Sequence, residues 1–151
     1  MKLIKVSIIC TILSLLLFPS NSAALSLEQL PSSKSSNEWE VVIDRPKSDD
    51  LESKPDVYNI YSMNIEYIGN KDVKLERVEA FRDDPSLSYD IELFTVDCER
   101  DAKETNMNIE PSFRHQNFPI STKATNLKVI VTWTKKVEGS RSFRKEFIFK
   151  Q

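Results

Sequence analysis

His115 is the only histidine among the 151 residues. Sites that need two imidazoles from one chain, including zinc-finger, HExxH and blue-copper arrangements, are therefore excluded. Nucleophilic chemistry is left with a thiol–imidazole pair of Cys98 and His115, which requires the fold to bring them together. Local context points elsewhere for both residues. His115 sits in the polar run Phe113-Arg114-His115-Gln116-Asn117-Phe118 between Pro111 and Pro119, which predicts a solvent-facing loop histidine. Cys98 continues the parity of Phe94 and Val96, so it reads as a small buried hydrophobe, with intermolecular pairing as the alternative. A soft Cu(I) set of Cys98, Met107 and His115 has no motif spacing behind it. Asp83-Asp84 and Asp97-x-Glu99-x-Asp101 carry calcium-type oxygens, but no EF-hand pattern or calcium-loop glycine accompanies them, so they read as solvated carboxylates. There is no Gly-x-Ser-x-Gly elbow, Walker loop or Cys-x-x-Cys. The expectation is a protein with no catalytic, cofactor-binding or metal-binding residues.

Charge supplies the one candidate binding set. The segment Glu79 to Glu104 holds nine acids against three bases, and Lys123 to Gln151 holds eight bases against two acids, giving −6 and +6. Strands that expose one face to water need such residues, and lysines on edge strands block aggregation. The functional reading makes the segments opposite poles, with Lys135, Lys136, Arg141, Arg144 and Lys145 meeting an acidic protein, lipid headgroups or an anionic envelope polymer. The whole chain carries −2, and without Lys2 and Lys5 nineteen bases face 23 acids, −4, so a general nucleic-acid binder is not expected.

Residues 1–24 have the three parts of a secretory signal peptide: Lys2 and Lys5, an apolar run from Val6 to Phe18, and small residues after Pro19. The run is shorter than the roughly 20 residues that span a bilayer, so cleavage before Leu25 and no remaining transmembrane segment are expected. Cys10 leaves with the leader, and Cys98 then has no intrachain partner. No Asn-x-Ser/Thr sequon occurs. The mature chain is about 127 residues, one domain's worth.

Residues 25–37, which include Pro31-Ser32-Ser33-Lys34-Ser35-Ser36-Asn37, read as a flexible N-terminal segment, with the folded domain spanning 38–151. From there the apolar period is two rather than 3.6. Tyr61, Met63, Ile65 and Tyr67 alternate with polar residues, as do Leu127, Val129, Val131 and Trp133. Seven strands are predicted: Trp39–Ile43, Val57–Ile68, Val73–Arg82, Tyr89–Cys98, a weak one within Thr105–Ser121, Asn126–Lys135 and Arg141–Lys150. The chain's two glycines fall in Gly69-Asn70-Lys71-Asp72 and Val137-Glu138-Gly139-Ser140, which read as hairpin loops needing positive φ. The apolar phase changes between Val73/Leu75 and Val78/Ala80, which predicts a bulge or a change of sheet. The aromatics Tyr58, Tyr61, Tyr67, Phe143, Phe147 and Phe149 read as core.

Short strands without an amphipathic helix predict an all-β, antiparallel two-sheet sandwich. Over roughly residues 38–151 this resembles immunoglobulin-like or fibronectin-III-like modules in architecture, without the Cys…Trp…Cys signature of true immunoglobulin domains. The expectation is a secreted noncatalytic β-sandwich acting as a binding module at the cell envelope or outside the cell. The alternative is an extracellular protease inhibitor of the same architecture that presents the Asp83–Ser88 or Pro111–Pro119 loop.

Overall fold

The computed structural model describes Leu27 and residues 29–48, 51–98, 111–136, 139 and 141–151. The expected leader (1–24), Glu99, Asp101 and Met107 lie outside the described residues. Eight strands are described: β1 (Ser32–Ser35), β2 (Trp39–Asp44), β3 (Tyr58–Tyr67), β4 (Val73–Arg82), β5 (Ile91–Asp97), β6 (Ser112–Ser121), β7 (Asn126–Lys135) and β8 (Phe143–Lys150). They form two four-stranded antiparallel sheets, ordered β1-β2-β3-β6 and β5-β4-β7-β8, packed as a β-sandwich. The alternating residues of both sheets meet in one core around Trp39, Ile43, Tyr61, Ile65, Leu75, Leu127 and Phe149.

The fold starts earlier than its serine-rich composition suggests. Ser32–Ser35, read above as part of a tether, pairs along β2 from Ser32↔Ile43 to Ser35↔Glu40. Backbone pairing needs no apolar side chains, and the Ser36 hydroxyl closes the turn by accepting the Trp39 N–H at 3.0 Å. Leu27 is buried and Leu30 packs against the core, so this end is held from both sides.

The two glycine loops have different jobs. Gly139 has φ +74° between paired strands β7 and β8, the hairpin expected of it. The Gly69–Asp72 segment is not a hairpin, because β3 and β4 belong to opposite sheets and it carries the chain across the sandwich. A Cβ at Gly69 would collide with the Tyr67 ring, so glycine is needed there for close approach. The expected irregularity in β4 is a bulge: Leu75 pairs with Trp133, and two residues later Arg77 pairs with Thr132. Val73, Leu75, Val78 and Ala80 thereby all face inward.

The weak strand resolves as β6, at the edge of the first sheet beside β3. That position tolerates Pro119, whose missing N–H would break a central ladder.

Candidate functional site

The basic hairpin is built on an aromatic ladder that crosses the sandwich. Tyr67 and Trp39 are register partners in the first sheet, their rings edge-to-face at 5.2 Å. Trp39 meets Trp133 of the second sheet at 5.7 Å, and Trp133 stacks on its own cross-strand partner Phe143 at 5.9 Å. Phe143 is the outermost, half-buried rung. The Lys135 ammonium lies 4.7 Å from its ring centre and the Arg141 guanidinium carbon 5.2 Å. Cations over an aromatic face are attracted by its quadrupole, which concentrates two positive charges at this end of the sandwich. The Lys136 N–H donates to the Asp72 carbonyl at 3.1 Å, tying the base of the hairpin to the crossover loop.

The other two basic candidates are placed elsewhere. The Arg144 guanidinium lies 4.0 Å from Glu79 on β4. Lys145 is in register with Val131, on the side of β8 that carries Phe143 and Phe147, yet is exposed. An inward-facing lysine on an edge strand discourages further strand pairing. Lys135 and Arg141 therefore share the Phe143 ring, Lys136 follows Lys135 at the base of the hairpin, and Arg144 and Lys145 are placed apart from them.

The acidic and basic segments are not separated as poles. The strand order β5-β4-β7-β8 lays acid-bearing strands beside base-bearing ones. Lys128 pairs with Asp90, Arg144 with Glu79, and Arg77 with Asp97 at 3.9 Å.

The aspartates once read as solvated ligand candidates have local partners. Asp83 accepts the Thr125 N–H at 2.6 Å, the Asn126 N–H at 2.9 Å, the Asn126 side-chain amide at 3.0 Å and the Thr125 hydroxyl. Desolvation pushes its pKa up, but these hydrogen bonds outweigh it and hold the carboxyl at about 2. Asp84 accepts the Ser86 hydroxyl at 2.6 Å and its N–H at 3.0 Å, which lowers its pKa. These contacts fasten the β4–β5 loop to itself and to the β6–β7 turn.

Residues 23–151 match the model of a family described as YozF-like secreted protein. The chain belongs to this family. It is 25% identical over 140 residues to the "Uncharacterized protein YozF" of Bacillus subtilis (strain 168), covering 86% of this chain and 84% of that one. No solved structure matches the chain. As a YozF-like protein it is secreted. No helix among the described residues is long and apolar enough to cross a membrane.

His115 corrects the loop reading of this YozF-like chain. It lies on β6, opposite Met63, with its imidazole stacked on Phe94 of β5 at 4.5 Å and edge-on to Phe118 at 5.6 Å. Its Nδ1 is buried without a hydrogen-bond partner, and burial lowers its pKa, favouring the neutral ring. Polar neighbours hid this placement, because in a strand only every second residue shares the histidine's face. Cys98 is half-buried against the core and lies four residues beyond Phe94, about 13 Å along an extended chain. Phenyl rings of Phe94, Phe113 and Phe118 wall the imidazole. Pro111–Pro119 runs mainly through β6 and is therefore a strand rather than the loop expected of it.

Proposed function

We propose that this secreted protein is a noncatalytic binding module that works at the cell envelope, engaging an anionic envelope polymer through Lys135, Lys136 and Arg141. The observation that carries the reading is the seating of Lys135 and Arg141 on the Phe143 ring. Stacked cations lose less side-chain freedom on meeting an anion than freely moving ones, so the cost of ordering the contact falls.

The strand order supports an immunoglobulin-like module. β2-β3-β6 correspond to strands A-B-E of that plan, and β5-β4-β7-β8 to C′-C-F-G. The tryptophans stand on A and F rather than on C, consistent with a core pinned by the cross-sheet Trp39–Trp133 contact instead of a disulfide.

The test is binding of the secreted chain to long-chain polyphosphate as a model polyanion, at about 50 and 500 mM salt. Affinity should fall at least tenfold with salt. The double charge reversal Lys135→Glu and Lys136→Glu should abolish binding while leaving the chain folded, with a loss of about 0.5–1 kcal/mol from the Lys135–Phe143 contact. Binding that ignores ionic strength, or that survives the reversal, refutes the proposal.

A further inference from the structure

The outer face of the first sheet carries a trough of about 410 Å³, lined by polar side chains together with Val42 and Met63. Outward-facing positions of three neighbouring strands build it. Val42, Asn64 and Arg114 are register partners across β2, β3 and β6, and Asp44 stands further along β2, opposite Ser62. Gln116 lines it from β6, and Lys47 from the connection after β2.

A bulge accompanies the concavity. Between the pairs Tyr61↔Phe118 and Met63↔His115, β6 uses two residues, Gln116 and Asn117, where β3 uses only Ser62. A bulge bends its strand and re-aims a side chain, here Gln116.

The charged groups at the trough are paired. The Arg114 Nε donates to Asn64 Oδ1 at 3.1 Å, with its guanidinium 4.0 Å from Glu66. The Asn64 amide donates to Glu66 at 2.8 Å, and the Lys47 ammonium lies 3.4 Å from Asp44. Arg114 is thus opposed by Glu66, which stands beside the trough, and Lys47 by Asp44, so both lining cations are paired while donors and acceptors lie side by side along the surface.

We propose that this trough binds a neutral polyhydroxylated ligand, a glycan chain containing N-acetylhexosamine. Hydroxyl groups donate and accept at once, which suits alternating carboxylate, carboxamide and guanidinium groups. A phosphate polymer gains little from cations already opposed by carboxylates. Val42 supplies an apolar floor for an acetyl methyl or the C–H edge of a sugar ring, and the volume lies within the range of small-molecule sites. Secretion exposes the trough to envelope glycans.

The test is an NMR titration of the secreted chain with the tetramer of N-acetylglucosamine. Saturable shifts should be confined to residues 42–47, 62–66 and 114–116, with a Kd of about 0.1–5 mM. Gln116→Ala combined with Asn64→Ala should weaken binding at least tenfold, while Lys135→Glu with Lys136→Glu, or 500 mM salt, should leave it unchanged. Gln116→Ala alone, at an exposed position, is the control should the double variant fold poorly, and it should weaken binding severalfold. No saturable shift up to about 10 mM, shifts centred elsewhere, or affinity unaffected by Gln116→Ala overturns the proposal. Failure of the unmodified chain to bind polyphosphate, with the sugar titration intact, refutes the basic-end reading alone.

Discussion

Asp83→Asn removes one charge from the clasp that joins the β4–β5 loop to the β6–β7 turn. In the native protein this carboxylate receives two backbone N–H groups and two side-chain donors from Thr125 and Asn126, while the Asp83 N–H donates to the Asn126 carbonyl at 3.2 Å. The Gln151 N–H donates to the Thr125 carbonyl at 2.7 Å, so the clasp also bears on the end of the chain after β8. Lowering the carboxyl from 3.8 to about 2 corresponds to about 2.4 kcal/mol if fully realised. Partial exposure screens these interactions, and halving the figure gives about 1.2 kcal/mol. Because the folded pKa lies below the unfolded one, this stabilisation is complete above about pH 5 and is lost as pH falls through 3.8 and then 2. Urea unfolding of both proteins at a series of pH values is the assay. Asp83→Asn should be less stable by about 1–1.5 kcal/mol at pH 7, with unchanged m-value, and the two stability curves should converge between about pH 5 and pH 2. A deficit that stays constant with pH would show that shape rather than charge sets the contribution, and would refute the reasoning.

The glycines give a paired test. Gly69→Ala drives a methyl into the Tyr67 ring and should cost about 1–3 kcal/mol, whereas Gly139→Ala meets open space and carries only the strain of φ +74°, about 1 kcal/mol. Equal costs in thermal unfolding would contradict the separate roles assigned to the two loops. For His115, the imidazole protons followed by NMR should titrate below 6.5, because burial among Phe94, Phe113 and Phe118 disfavours the charged ring. Its contribution to stability is present above pH 6.5 and declines as pH falls through the folded value, a dependence that His115→Phe should remove. Titration at or above 6.5 would place the ring in water.

Much of the strand map was legible because alternation is a local property. Val73–Arg82 and Asn126–Lys135 are read from apolar parity with the bounds the structure has, and the phase change within β4 marks its bulge. β1 was hidden because serines and a lysine bury no apolar area, and its stability comes from backbone pairing to β2. β6 reads only as a weak strand within Thr105–Ser121 because its own bulge shifts the inward parity from Phe113 and His115 to Phe118 and Ile120, so neither period holds throughout. The basic candidates were legible as a cluster along the chain. Their division between the Phe143 ring and the Glu79 carboxylate depends on which face each occupies and on what strand lies next to it.

Residue order alone determined that this chain is all-β, that its C-terminal half holds a Gly139 hairpin, and that two-imidazole chemistry is excluded. Each follows from composition or from contacts within a few residues. The tertiary structure decided which sheet each strand joins, and with that the conversion of the Gly69–Asp72 loop into a crossover. It also decided the pairing of Lys128 with Asp90 and of Arg144 with Glu79, and the stacking of His115 on Phe94. These are pairings between residues far apart in the chain, selected when two sheets bury a shared core, and no local period encodes the partner.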